Sequence, residues 1–284
     1  MGQQKKPRTP YVFEVVGVES VSPRLVRVWF GCSDFDGFAA AAAERASTDA
    51  YVKIHFARPE LGLTPPYDLD ELRTRLAPED MPSRRTYTVR MIDRDQRRIA
   101  VDFVVHGDAG VAGPWAARAA AGDRVSVSGP GGKYAPNPDV AEHLFIGDES
   151  ALPAIASAIE SLPADAVGTA LIEVESSRDE VAIDGPAGVR IRWVHRAREP
   201  YGSALVAAVE ALPQPTEVID VFAHGERAAM KRLRGIIHGA WGIPRERLSL
   251  SAYWAAGRAE DTFQAEKREP VGQIFEPEQH SPAP

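Results

Sequence analysis

Arg84-Arg85-Thr86-Tyr87-Thr88-Val89-Arg90 places guanidinium groups, a phenol and two hydroxyls within seven residues. On a β-strand side chains alternate between faces, so Arg85, Tyr87 and Val89 point one way and Thr86, Thr88 and Arg90 the other. At a barrel rim, such a strand brings a cation and a ring to one ligand while backbone amides and a hydroxyl meet its edge. A flavin dinucleotide asks for that mixture: a guanidinium for the pyrophosphate, a phenol against the isoalloxazine and a short donor near its reactive nitrogen. Taken alone, the stretch reads equally well as a basic edge strand carrying one aromatic residue.

Further stretches carry chemistry of their own. From Asp102 to Ala116 an apolar run through Val105 ends in a glycine-rich turn, His106-Gly107-Asp108-Ala109-Gly110-Val111-Ala112-Gly113, ahead of a helical pattern through Trp115 and Arg118. N–H groups and a positive helix end at Val111–Gly113 suit a pyrophosphate. An ordinary strand, turn and helix, with glycines chosen for their backbone angles, fits the same residues. Later, the run His143–Ile146 meets Gly147-Asp148-Glu149-Ser150, with Ser150 near a helix start, a place for the phosphates of NADH or NADPH. The Gly-x-Gly-x-x-Gly fingerprint is not present. Glu173-Val174-Glu175-Ser176-Ser177-Arg178 follows the next strand, and Arg178 is either a partner for a ribose 2′-phosphate or an exposed loop charge. A further strand runs into Ala223-His224-Gly225-Glu226. Those three strand ends would line one edge of a parallel sheet, where ligands usually sit.

Two kinds of scaffold are needed to hold these groups. From Tyr11 to about Pro138, strand-like runs recur at Tyr11–Val18, Leu25–Phe30, Tyr51–Phe56, Arg85–Ile92, Ile99–Val105 and Arg124–Gly129, and an antiparallel barrel closes them. The segments Phe38–Ala46 and Asp68–Asp80 are expected to be short helices or loops covering its rim. After Asn137-Pro138, apolar runs alternate with helical ones: Ala151–Glu160, Thr169–Val174, Arg190–Val194, Gly202–Leu212, Glu217–Ala223, Glu226–His238 and Leu248–Ser251. That alternation predicts a parallel sheet with helices on its faces. The expected fold class is therefore a two-domain β plus α/β chain. Its domains are a barrel at 1–139, a Rossmann-like α/β domain at 140–268, and a flexible tail at 269–284.

Composition narrows the function classes. The 284 residues carry a net charge of −7, which argues against a nucleic-acid protein with a broad basic surface. A single cysteine, Cys32, allows neither an intrachain disulfide nor a cysteine-ligated iron–sulfur cluster. No apolar run approaches the roughly 20 residues that span a bilayer, and the polar start lacks a signal-peptide core. These features predict a soluble cytoplasmic protein. No two histidines form a short-spaced metal-ligand motif, so no resident metal is expected.

In order along the chain, Arg85–Arg90, Asp102–Ala116, Gly129-Pro130-Gly131-Gly132-Lys133-Tyr134, Gly147–Ile155 and Tyr253-Trp254-Ala255-Ala256-Gly257-Arg258 resemble one family. It is the flavin-dependent siderophore-interacting proteins, or ferric-siderophore reductases, of the ferredoxin–NADP reductase-like superfamily, and the resemblance spans roughly Tyr11 to Lys267. It implies an FAD-binding barrel followed by a domain that presents NADH or NADPH. Arg85, Tyr87, Thr88, Val89, Arg90, Asp102, Val105, His106, Gly107, Ala112, Gly113 and Trp115 would then serve FAD. Asp148, Glu149, Ser150, His224 and Trp254 would serve the nicotinamide nucleotide. Gly113 stands where the family often has Ser or Thr, which removes one hydroxyl contact to phosphate.

The resemblance also implies a basic substrate site, at Lys53, Lys133 and Arg258, for an anionic ferric chelate. The activity implied is hydride transfer from NAD(P)H to FAD and single-electron reduction of Fe(III), with transient docking at a membrane transporter. Two other functions fit the same motifs: reduction of a ferredoxin- or flavodoxin-like partner, and siderophore binding with little redox activity.

Overall fold

The computed structural model describes residues 10–107 and 110–275. The chain forms two compact units. One runs to Pro136 and takes in Ala156–Ser161 and Arg178–Asp184; the other holds Asn137–Ile155, Leu162–Ser177 and the residues from Gly185 on. The two-domain β plus α/β architecture expected from the sequence is the one observed.

In the first unit, β1 (Tyr11–Ser22), β2 (Leu25–Cys32), β3 (Tyr51–Phe56), β4 (Ser83–Asp93), β5 (Arg98–Val104) and β6 (Arg124–Gly131) close into a barrel in the order β1-β2-β5-β4-β3-β6. Every neighbouring pair is antiparallel. The alternation that made these runs legible is the one that fills the interior: Val52, Ile54 and Phe56 of β3 join Phe13, Phe30, Val101 and Phe103 in one core. Strict alternation ends in β4. Val89 pairs with Val101 and Met91 with Ala100, so Arg90 is the extra residue of a β-bulge.

Helix α1 (Phe35–Ala43) begins three residues before the expected start, because the Asp34 carboxylate accepts from Gly37 N and caps it. Its Phe35, Phe38 and Ala39 form the apolar stripe that lies on the barrel core, and Ala42 is buried as well. The segment 68–80 is α2 (Leu69–Arg75), capped by Asp68, followed by a single 3₁₀ turn. Helix α3 (Ala112–Arg118) inserts Trp115 among the rings of Phe30, Phe56 and Phe103.

The second unit contains β7 (Glu142–Asp148), β8 (Val167–Val174), β9 (Gly188–His195), β10 (Ile219–Glu226) and β11 (Leu248–Trp254), all parallel, in the order β11-β10-β7-β8-β9. Helix α4 (Leu152–Glu160) follows β7, α5 (Ser203–Glu210) follows β9, α6 (Arg227–Arg234) follows β10 and α7 (Glu260–Glu266) follows β11. Central strands covered on both faces read as continuous apolar runs, and β10 is buried at every position. Its run of buried residues continues three residues past the expected end at Ala223 and takes His224 and Glu226 into the strand. At Gly147, a Cβ would lie 2.7 Å from Ala151 Cβ and 2.8 Å from His224 O, so the close approach of β7, β10 and the α4 start requires glycine there.

The expected tail at 269–284 begins with packed residues: Ile274 and Phe275 lie against the sheet core, and Arg245 covers the Phe275 ring at 4.4 Å. Residues 276–284 of that segment lie outside the described residues, as do Asp108 and Ala109 of the glycine-rich turn.

Candidate cofactor and substrate site

In the first unit the β4 residues divide by what already engages them. The Tyr87 ring sits 4.3 Å from that of Phe103, and Arg85 Nη1 donates to Arg84 O at 2.9 Å, with both side chains half-buried. Val89 belongs to the core, and its backbone N–H donates to Ala50 O at 2.7 Å. Thr88 is buried. Arg90, the bulge residue, is paired through both terminal nitrogens with the Glu160 carboxylate, and its carbonyl accepts from Ser157 Oγ at 3.1 Å. Its charge is thus largely balanced within the unit.

Asp102 is occupied as well: Arg27 Nε and Nη2 donate to its two oxygens at 2.6 and 2.9 Å, a bidentate pair that ties β5 to β2. Val105 N donates to Arg24 O. Beyond it, His106 is exposed and the chain turns through Gly107 and Gly110 at φ +60° and +82°. This is left-handed backbone, the conformation in which successive N–H groups can be aimed at an anion. Ala112 is buried and Gly113 packs its Cα against β5, where a Cβ would stand 3.1 Å from Val104 O.

The donor set fits a flavin dinucleotide. It offers a guanidinium and a phenol on one face of β4, a buried hydroxyl on the other, and exposed left-handed backbone at Gly107 and Gly110 past the end of the adjacent β5.

Lys53 and Lys133 also belong to the first unit. Lys53 pairs across strands with Thr86 and Ser128, and burial, then the neighbouring Arg84, lowers its pKa. Lys133 lies two residues past β6, exposed, with its backbone N–H donating to Asp49 at 2.8 Å. Beside them His55 is buried; its Nε2 lies 3.0 Å from Ser128 Oγ and its Nδ1 has no partner among the described residues. Burial, with Arg84 and Lys53, pushes its pKa down to about 4.

The second unit gathers its polar groups where the parallel strands end. Asp148 is a clasp: it accepts from Ser150 N (2.9 Å), Ser150 Oγ (2.5 Å), Glu226 N (2.9 Å) and Trp254 Nε1 (2.8 Å), joining the ends of β7, β10 and β11. Burial raises its pKa against the pull of those hydrogen bonds. Glu226 in turn caps α6, accepting from Ala228 N and Ala229 N. His224 is buried, stacked on Phe222, with Nε2 2.9 Å from Ser249 Oγ. Burial, then Lys267, pushes its pKa down to about 3. The side chains of Asp148 and His224, both expected beside a nucleotide, are therefore turned inward, and what they present to a ligand is backbone. Ser150 and Trp254 remain partly exposed.

Arg196, just past β9, organises the other half of this edge. It is 2% exposed. Its Nη1 donates to Glu149 (3.3 Å) and Glu173 (3.4 Å), and its Nη2 to Glu175 (2.6 Å). Its guanidinium carbon stands 4.3 Å from the centre of the Tyr201 ring, which meets Trp254 edge-on at 4.8 Å. Burial opposes the charge on Arg196, and the carboxylates outweigh it, raising the pKa. Neither Arg196 nor Tyr201 is identifiable in the sequence as a site residue. The signal present was Glu149, Glu173 and Glu175 clustered at expected strand ends, which demands a buried counter-ion. Arg258 of this unit is exposed and pairs with Glu266 at 3.0 Å. Among the described residues no group of three His, Cys, Asp or Glu side chains could hold a metal ion.

The two depressed histidines give a pH dependence with a definite sign. Below their unfolded value of 6.5 the unfolded chain takes up protons that the folded His55 and His224 refuse, down to about 4 and about 3. Stability is then lost as pH falls from 6.5, at up to about 2.7 kcal/mol per pH unit for two protons. Asp148 and Glu173, whose pKa values burial raises, act with the opposite sign. Comparing the parent with His224→Asn in urea denaturation between pH 7.5 and 5 isolates the imidazole. The variant should show a shallower loss; identical slopes would mean His224 is protonated in the fold.

Comparison with known proteins adds to this geometry. Residues 14–134 match the family model described as siderophore-interacting FAD-binding domain, and residues 140–257 match that of siderophore-interacting protein. The chain is 29% identical to ferric vibriobactin reductase of Vibrio cholerae over 273 residues, covering 94% of this chain and 97% of that protein. It is 30% identical to the NADPH-dependent ferric-chelate reductase of Escherichia coli over 246 residues, 85% and 91% of the two chains. A solved structure of a siderophore utilization protein from T. fusca is similar with a TM-score of 0.76 and 37% identity, over 88% of this chain and 94% of that one. Among the described residues no helix is long and apolar enough to cross a membrane.

Proposed function

This chain belongs to the siderophore-interacting protein family and carries its FAD-binding domain, and from that premise we propose that it is an NAD(P)H-dependent ferric-siderophore reductase. The observation that carries the reading is β4, with Arg85 and Tyr87 on one face and Thr88 on the other, beside the left-handed backbone at Gly107 and Gly110, in a chain whose second unit gathers polar and aromatic groups at the carboxyl edge of a parallel sheet. Bound FAD would accept two electrons as hydride from a reduced nicotinamide and pass them singly, enough to reduce two Fe(III) to Fe(II) with release of one proton.

The protein's own groups bind and orient. Arg85 would hold pyrophosphate oxygens, Tyr87 would lie against the isoalloxazine, and Thr88 would sit at the reactive edge, with no side chain required as nucleophile. Arg90, paired with Glu160, and Asp102, paired with Arg27, would brace the strands that carry these contacts. Lys53, Lys133 and Arg258 would attract an anionic chelate by local field, which a net charge of −7 does not prevent. Hard oxygen donors bind Fe(II) far less tightly than Fe(III), so reduction releases the metal. In this reading the protein acts in the cytoplasm, on chelates already imported.

The test compares acceptors. With NAD(P)H and the FAD-loaded protein, ferric siderophores should yield trapped Fe(II) at a rate that exceeds reduction of a ferredoxin or flavodoxin. Faster reduction of the protein acceptor would favour an electron-transfer reductase, and flavin that neither nucleotide reduces would favour a siderophore carrier.

A further inference from the structure

We propose that Glu175 makes the nucleotide site selective for NADH over NADPH, an inference that rests on reading the second unit as the nicotinamide-nucleotide domain. Glu175 is the first residue past β8, the strand that neighbours β7 in the sheet. It is tied to the turn that follows β7: its N–H donates to Glu149 Oε1 at 3.2 Å. If the nucleotide's pyrophosphate lies at that turn, its adenosine ribose arrives over the end of the adjacent strand, about 25 residues on. In open α/β sheets an acidic residue at that place accepts from the ribose hydroxyls, whereas a nearby arginine accommodates a 2′-phosphate.

Here the carboxylate is fixed and the arginine is spent. Arg196 Nη2 holds Glu175 Oε2 at 2.6 Å, while Nη1 is shared by Glu149 and Glu173, and the guanidinium face is covered by Tyr201. Three carboxylates share this one buried cation, so it has no charge to offer a phosphate. Glu175 keeps 31% of its side chain exposed, where Arg196 and Glu173 keep 2% and none. It is therefore the member of the cluster that a ligand meets. Two ribose hydroxyls can donate to such a carboxylate. A 2′-phosphate, with close to two negative charges, would be set against it, and like charges in contact at an interface cost several kcal/mol. Arg178, exposed three residues later, is the rival determinant and would reverse the preference.

The test is equilibrium binding of NAD⁺ and NADP⁺ to the FAD-loaded protein by calorimetry, repeated with the fragments ADP and 2′-phospho-ADP. NAD⁺ should bind at least about tenfold tighter than NADP⁺, the ratio that 1.4 kcal/mol gives. Glu175→Gln should bring the ratio to within about threefold, chiefly by improving NADP⁺. The fragments should show the same preference without any flavin chemistry. NADP⁺ binding tighter in the parent, or an unchanged ratio in Glu175→Gln, would overturn the proposal while leaving the reductase reading intact. An Arg178→Ala loss confined to NADP⁺ would also overturn it. If neither nucleotide binds, and neither NADH nor NADPH bleaches the flavin, the reductase reading falls instead, and this proposal with it.

Discussion

An Arg196→Met protein is expected to lose about 3–5 kcal/mol of stability, the cost of stranding buried charges when one partner of an ion cluster is removed. Arg196 is almost fully enclosed, and Glu149, Glu173 and Glu175 all face it. Glu173 has other partners, accepting from Gly202 N and Leu205 N, so it anchors the start of α5 to the end of β8. Without the guanidinium it must be protonated or rehydrated, and either step loosens that anchor. Urea denaturation at pH 7.5 measures the loss, and amide exchange in β8 and α5 locates it. Arg196→Lys should recover only part of it, because an ammonium keeps the charge but cannot span three carboxylates with a planar fork. A loss below about 1 kcal/mol for the methionine variant would show that the cluster is not held by its cation.

Arg85→Ala is expected to weaken FAD binding by about 10- to 100-fold, since a hydrogen bond to a charged group contributes about 1.5–3 kcal/mol. Arg90→Ala should weaken it less, because the Arg90 guanidinium is already engaged by Glu160. Tyr87→Leu should fall between, costing about 0.5–1.5 kcal/mol of ring contact. Titrating apoprotein with FAD and following the quenching of flavin fluorescence gives all three constants. An Arg85→Ala affinity equal to the parent's, or an Arg90→Ala loss larger than that of Arg85→Ala, would remove Arg85 from the pyrophosphate.

Strand periodicity located the barrel well, since each of its six strands puts alternate residues into one core. It failed where a bulge breaks the alternation, at Arg90, because an inserted residue has no signature in composition. The end of β8 was placed at Val174, where it lies, but that of β10 was put too early, for a related reason. His224 and Glu226 look like turn residues, yet both are buried in β10, because Ser249 of the neighbouring strand partners the imidazole and the N–H groups of Ala228 and Ala229 at the α6 start satisfy the carboxylate. The candidate flavin face was legible because its chemistry lies in one stretch of seven residues. Arg196 was not, since its meaning depends on three carboxylates that are 47, 23 and 21 residues away. Likewise, Asp102 and Asp148 announced carboxylates, and only the fold reveals that Arg27 and Trp254 already occupy them.

Single-turnover kinetics test the ferric-reductase reading most directly. Under anaerobic conditions NADH should bleach the yellow absorbance of the FAD-loaded protein. A ferric siderophore added next should restore it while a ferrous chelator reports two Fe(II) per flavin. Purified protein that neither retains nor takes up FAD, or reduced flavin that no ferric chelate reoxidises, would contradict it.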